Sequence, residues 1–362
     1  MSARLIAVSG LGDKAPACFV LEAGGNRVML DLGEGPEPGV FPDMDGVGPV
    51  DALVITHGHK DHVGAIHLRA QVGDPPVWAT DTVRRQLAGT VPVHPLPLHG
   101  EAEIAGIRFR TGRNGHAPGG VWLHAAIGGG FLYTGDISME SLLYAYDPPP
   151  TAEVAVIDGS YGGYDEPLFG CESALQPWLA GPVLLPCPAD GRGPELALAA
   201  LRAGAAPALD SAHLASLAAL LGPDRESVRP EAIVELQTLR ARVGALGTDP
   251  DGVMIAAAAS CEGGTAGSLA SLWEAGSLPA IIVTGHAPAG SRAKRMLDSG
   301  RAAYQRWNVH PPLSDQRRLV REIGARLVLP AFAGREHLDA WMEAFAPARV
   351  SLDRETPLWT GE

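Results

Sequence analysis

Lysine is nearly absent: Lys14, Lys60 and Lys294 are its only occurrences in 362 residues, so arginine carries almost all the positive charge. Arginine's planar fork suits bidentate phosphate contacts, although a genome rich in G and C produces the same bias. Positive charge as a whole is also short, with 28 Lys and Arg against 41 Asp and Glu and a formal net charge of -13. That balance keeps a protein soluble and repels polyanions at long range, so a nucleic-acid partner would require a local basic channel. Cysteine is limited to Cys18, Cys171, Cys187 and Cys261 with no C-x-x-C pair, which argues against a thiolate zinc site and a disulfide framework. No window approaches the ~18 consecutive apolar residues of a membrane span. No secretory apolar segment precedes the first cysteine, so a cytoplasmic protein without membrane contact is expected.

Aromatic residues make up only 6% of the chain, but 46% is hydrophobic, enough for a substantial aliphatic core. The 45 Gly and 31 Pro point to many tight connections rather than a helical bundle. The length favours two interlocked domains. In the first third, short apolar runs alternate with turn residues: RLIAVSG, ACFVLEAGG, NRVMLDLGEG, DALVITHGH, IRFRTG, VWLHAAIGGG and FLYTGD. These read as strands of stacked sheets. HVGAIHLRAQ and DTVRRQLAG carry helical periodicity, the second opening at Asp81 as an N-cap, and AEVAVIDGS reads as a further buried strand. From about Tyr161 the composition shifts to Ala, Leu, Gly and Pro, and GPVLLPCPADGRGPELALAALRAG reads as strand, loop and helix. GVMIAAAAS and PAIIVTGH supply more strands, and QRRLVREIGARLVLPAF returns to helix then strand. With no repeat and no flexible linker, one domain inserted in another fits better than two in series.

The densest chemistry is in THGHKDHVGA, Thr56 to Ala65, directly behind a buried strand. Imidazole and carboxylate are the usual ligands of zinc and similar ions, so His57 and His59 can grip one ion while Asp61 and His62 grip a second. Gly58 lets the backbone turn between them. The competing reading is an exposed polar loop. Asp31 in VMLDLGEG, His116 in RNGHAPGG and Asp136 in FLYTGDIS are each ordinary turn or strand-end residues when taken singly.

Taken in order, a strand-end Asp, the His/Asp cluster, a His before a Gly-rich turn and an Asp after Tyr-Thr-Gly resemble the metallo-β-lactamase pattern. The resemblance implies an αββα sandwich. In it His57, His59 and His116 hold one metal, Asp61 and His62 hold a second, Asp136 bridges the two, and Asp31 orients the ligand loop. GPVLLPCPADGRGPELALAAL, VMIAAAASCEGGTAGSLASLW and AIIVTGHAPAGSRAKRMLDSG resemble, in order, segments of the β-CASP nucleic-acid-processing branch. The fold class expected is therefore α/β, a metallo-β-lactamase sandwich of residues 1–165 and 298–362 with an inserted α/β, β-CASP-like domain at 166–297.

Within that resemblance, Asp158 in VIDGSYGG falls on the branch's acidic residue and His310 in WNVHPPLSDQRRL on its proposed general-acid histidine. An imidazolium oriented by a carboxylate can protonate a leaving alkoxide near neutral pH. Turn roles beside Pro311 and Ser160 are the plainer alternatives. One ligand departs from the pattern: in LVLPAFAGRE, Ala333 stands where the branch has its last histidine. His337, about one helical turn and so about 5 Å further on, is the nearest substitute. His286 stands where the branch has tyrosine, whereas His94 and His99, in a Pro-rich loop, read as solvent-facing.

Asp31, Asp61, Asp158 and His310 are thus expected to carry catalysis, and Arg192, Arg292, Lys294 and Arg295 to contact substrate phosphate. One or two zinc ions, or manganese, are the expected cofactor. RNA or a single-stranded nucleic acid is the expected partner, and a homo-oligomer is compatible with this reading. The resemblance implies an RNA-processing phosphodiesterase. Hydrolysis of a smaller phosphoester or other ester, and a weakly active or inactive scaffold subunit, remain as alternatives, raised by the acidic balance and by Ala333.

Overall fold

A computed structural model describes residues 2–359. The chain divides into two compact units: Met1–Met139 with Tyr146–Asp165 and His310–Glu362, and Glu140–Ala145 with Glu166–Val309.

Two seven-stranded sheets make the first unit. One runs in the order Glu355–Trp359, Ala3–Ser9, Cys18–Ala23, Asn26–Leu30, Ala52–Val54, Val77–Ala79, Val93–Pro95. The other runs Arg349–Val350, Leu327–Ala331, Val154–Asp158, Phe131–Tyr133, Val121–Ala125, Ile107–Arg113, Gly100–Ile104. Successive strand side chains alternate faces, and the core follows that rule. Phe19, Leu21, Phe131, Tyr133, Val154 and Val156 share one cluster between the sheets. Cys18 and Val20 turn outward to Ile66, Val83 and Leu87, and Leu132, Ala155 and Ile157 to Leu319, Ile323, Trp341 and Phe345. Helices therefore cover the outer faces, giving the αββα sandwich.

Local boundaries differ from the sequence reading in two places. HVGAIHLRAQ is not one helix but a single turn, Lys60–Val63, and a 3₁₀ stretch, Ile66–Val72. The N-cap of Asp81–Gln86 is Thr80, with Asp81 in the first turn, and the Thr80 hydroxyl donates to the Gly119 carbonyl at 2.7 Å instead of capping. The edge strand Glu355–Trp359 carries Pro357 and a charged residue and lacks a period-2 signal.

The second unit has a six-stranded parallel sheet, ordered Gly244–Ala245, Ala208–Leu209, Val253–Ala256, Val183–Pro186, Ala280–Val283, Ala303–Tyr304. Its inner strands are apolar on both faces, as a parallel sheet sandwiched between helices requires. Glu140–Ala145 joins it because Leu143 and Tyr144 enter its core and Tyr144 Oη donates to the Gly191 carbonyl at 3.0 Å. Trp307 is buried in the same core, its Nε1 donating to Glu195 at 2.9 Å, so this unit runs on to Val309, past the 297 expected from sequence. Among the described residues, no helix is long and apolar enough to cross a membrane.

A buried polar chain lies at the carboxyl ends of the strands Val183–Pro186 and Ala208–Leu209: His213 Nδ1 lies 2.7 Å from Asp210 and Nε2 3.4 Å from Cys187 Sγ. Burial opposes the charged imidazole, but Cys187 and Asp210 beside it push its pKa up to about 10. A histidine raised above its unfolded value adds stability in full below about pH 6.5, and that contribution is lost as pH climbs through about 10. Urea denaturation of the wild type should therefore show stability falling between pH 7 and 10, and His213→Gln should flatten that limb. An equal slope in both proteins would refute the pairing.

Candidate metal centre

The ligand loop is held by backbone geometry before any metal is considered. The strand Ala52–Val54 continues into buried Thr56 and His57, then turns at Gly58, where a β-carbon would overlap the Gln86 carboxamide. Gly33 presses against the following turn, and a β-carbon there would overlap the Asp61 carbonyl. Only glycine lets these two loops approach so closely.

Asp31, fully buried and in the left-handed region at φ 59°, organises the loop from behind. It accepts hydrogen bonds from Thr56 N–H at 2.7 Å, Thr56 Oγ1 at 2.8 Å, Tyr133 Oη at 2.7 Å and His62 Nδ1 at 2.8 Å. With Nδ1 so engaged, His62 turns Nε2 toward Asp136, 3.1 Å away. Asp31 belongs to none of the ligand clusters; it fixes the orientation and tautomer of a ligand. Tyr133→Phe removes one donor to this buried carboxylate and is expected to cost about 1–3 kcal/mol, measured as a lower urea midpoint at unchanged slope.

Three clusters share Asp136. His57, His59, His116 and Asp136 bring four ligand atoms within 4.8 Å of one another, Asp61, His62 and Asp136 bring three, and Asp136, Asp158 and His310 bring three more. His116 Nε2 is 2.9 Å from His59 Nδ1 and 3.4 Å from Asp136 Oδ2, and His57 Nε2 is 3.7 Å from Asp136 Oδ2. His57 Nε2 is buried without a hydrogen-bond partner, a costly arrangement that a cation would relieve. Burial, then the neighbouring imidazoles, hold the His57 pKa well below the ordinary range, so it stays neutral, the form that ligates metal. Burial opposes charge on His62, but Asp136 and Asp31 overcome it and hold its pKa well above normal, so this half of the site attracts positive charge. An all-imidazole-and-carboxylate donor set of this kind fits a divalent ion of the zinc type.

Beside this centre, His310 Nδ1 is 2.8 Å from Asp158 Oδ2, and the same carboxylate accepts Ile137 N–H at 3.0 Å and Ser160 N–H at 2.9 Å. Burial disfavours the imidazolium, but Asp158 and then Asp136 raise the His310 pKa above its ordinary value. Its ring packs against His116, centroids 4.9 Å apart, and edge-on to Tyr161 at 5.2 Å.

The four cations expected at phosphate all lie in the second unit. Arg192 opens the helix Arg192–Arg202 and lies against Gly285, where a β-carbon would collide with its guanidinium. The helix Arg292–Asp298 carries the other three, and each meets an acid: Arg292 lies 3.7 Å from Glu274, Arg295 lies 3.3 Å from Glu262, and Lys294 pairs with Asp298. His337 packs on Gly162 and against Trp341, ring centroids 5.7 Å apart, and joins no ligand cluster. His94 and His99 are exposed, as is His286.

Thr56, Tyr133, Asn114, Tyr161 and Phe332 were not singled out from sequence. Asn114 Oδ1 accepts the His116 N–H at 3.0 Å and sets that ligand's turn. Thr56 and Tyr133 lie within the stretches THGHKDHVGA and FLYTGDIS, which is the only sequence signal they carry.

The family model for the β-lactamase superfamily domain matches residues 27–180. The transcription termination factor FttA of Methanothermobacter thermautotrophicus is 30% identical over 206 residues, 45% of this chain and 32% of that protein. Ribonuclease TTHA0252 of Thermus thermophilus is 27% identical over 189 residues, 44% of each chain. The chain thus spans less than half the length of these curated relatives. A crystal structure of a protein of unknown function from Enterococcus faecalis V583 superposes with a TM-score of 0.61 at 13% identity, covering 99% of this chain and 100% of that one, a likeness of fold alone. The match over residues 27–180 agrees with the metallo-β-lactamase fold of the first unit, and the ribonuclease and termination-factor homologues belong to the β-CASP branch.

Proposed function

We propose that this protein is a zinc-dependent phosphodiesterase that cleaves RNA in the cytoplasm. The observation that carries the reading is the His310–Asp158 pair, 2.8 Å apart, grouped through Asp136 with the clusters of His57 and His62. Relatives named as a ribonuclease and a termination factor support RNA as the substrate class.

His57, His59, His116 and Asp136 would hold one ion, and Asp61, His62 and Asp136 a second. Zinc or manganese held there would acidify a water and stabilise charge developing at phosphorus. The chain's own residues do the rest. Asp31 keeps His62 in one tautomer, and Asn114 keeps the His116 turn closed. Asp158 holds His310 at Nδ1, so the imidazolium can deliver the proton on Nε2 to the leaving oxygen. Arg192 is the leading phosphate contact of the second unit, since Arg292, Lys294 and Arg295 already face acids.

The test is end-labelled RNA incubated with the protein under zinc and under manganese, with His59→Ala alongside. Metal-dependent cleavage by the wild type alone is expected, and equal products from both proteins would overturn the reading. That pairing of the basic helix, together with the net charge of -13, favours one rival: hydrolysis of small phosphodiesters. Turnover of bis(p-nitrophenyl) phosphate with RNA of every length left intact would select it.

A further inference from the structure

The clusters of His57 and His62 are unequal. The first closes around four donors, three of them imidazoles, whereas the second has Asp61, His62 and the shared Asp136, and among the described residues no further His, Cys, Asp or Glu joins it. What stands beside it is a hydrocarbon. The Phe332 ring meets His62 edge-on, centroids 5.3 Å apart, and is backed by Phe19 at 6.2 Å. Phe332 is buried, its N–H donates to the Gly10 carbonyl at 2.7 Å, and its backbone is left-handed at φ 67°. That conformation is unfavourable for a bulky residue and persists only where the surroundings enforce it. Ala333, the next residue, joins the cluster of Trp341, Leu319 and Ile323 on the outer face of its sheet. The side chain of this turn that meets His62 is thus Phe332, while Ala333 packs in the neighbouring core.

We infer that the chain holds one divalent ion tightly, on His57, His59, His116 and Asp136, and a second loosely, because no fourth donor closes the Asp61–His62–Asp136 cluster and the ring that packs on His62 is the apolar Phe332. An ion at the second cluster has three protein donors, one of them shared, and water for the remainder, while the aromatic wall offers it neither charge nor lone pair. Loss of supporting ligand interactions weakens metal sites by about 10- to 100-fold, so the two affinities should differ by at least about that range. The inference concerns occupancy alone and stands whatever the substrate proves to be.

Zinc titration of metal-stripped protein by calorimetry, with metal counted after exhaustive dialysis, tests it without any activity measurement. The wild type should retain one zinc per chain and show two separated binding events. His59→Ala should lose the tight event, Asp61→Asn only the weak one, and Phe332→His, which adds an imidazole in a conformation histidine tolerates, should narrow the gap. Two zinc ions retained by the dialysed wild type would overturn the inference, as would loss of the tight event in folded Asp61→Asn. A weak event unchanged in folded Phe332→His would overturn the role given to Phe332.

Discussion

Asp136→Asn should abolish RNA cleavage and strip the protein of metal, while leaving its far-ultraviolet circular dichroism unchanged. Asp136 is the one residue common to all three ligand clusters. Its Oδ1 faces His62 Nε2 at 3.1 Å, while Oδ2 faces His116 at 3.4 Å and His57 at 3.7 Å. An amide keeps the shape but removes the negative charge and one lone-pair face, so it can no longer serve two cations. Metal ions contribute several kcal/mol of transition-state stabilisation, and each 1.36 kcal/mol is a factor of ten, so a loss of at least about 10³ in rate is expected. Burial raises the Asp136 carboxyl and His62 opposes that shift, so the group is under strong electrostatic demand even without a cation. A variant that retained metal and cleaved at a tenth of the wild-type rate would remove Asp136 from the centre of the mechanism.

The site was legible where ligand residues are contiguous and illegible where they are supported from afar. His57, His59, Asp61 and His62 fall within six consecutive positions behind a strand, so type and spacing expose them together. His116 and Asp136 could be read only through their order, because a single His or Asp at a turn is ordinary. Tyr133 carries no such signal: its role is a hydrogen bond to Asp31 across 102 residues, which only sheet pairing brings about. Alternation along Phe131–Tyr133 shows that Tyr133 points inward, not that its hydroxyl finds a carboxylate.

The same limit applies to the contact of Phe332 with His62. Along LVLPAFAGRE the period-2 rule holds only through Ala331, where the strand ends. One left-handed residue after it turns the Phe332 ring to His62 and sends Ala333 to the opposite core. Segment Glu140–Ala145 was illegible for a related reason. Its place in the second unit rests on Tyr144 and Leu143 meeting residues far along the chain, and composition does not record that.

His310→Ala should slow RNA cleavage by about 10²–10⁴, the usual worth of a positioned general acid, with bound metal unchanged. The ring is outside the clusters of His57 and His62 but forms a third with Asp136 and Asp158, its Nδ1 3.8 Å from Asp136 Oδ2. A slower variant alone would not separate proton donation from loss of packing against His116 and Tyr161. A substrate whose scissile leaving oxygen is replaced by sulfur does separate them, because a thiolate departs without a proton. On that substrate wild type and His310→Ala should differ by less than tenfold, and Asp158→Asn, which leaves the imidazole but loosens its hold and lowers its pKa, should behave the same way. If His310→Ala stayed equally slow on the sulfur substrate, the residue would be a packing element of the His116 loop and the proton would have to come from elsewhere.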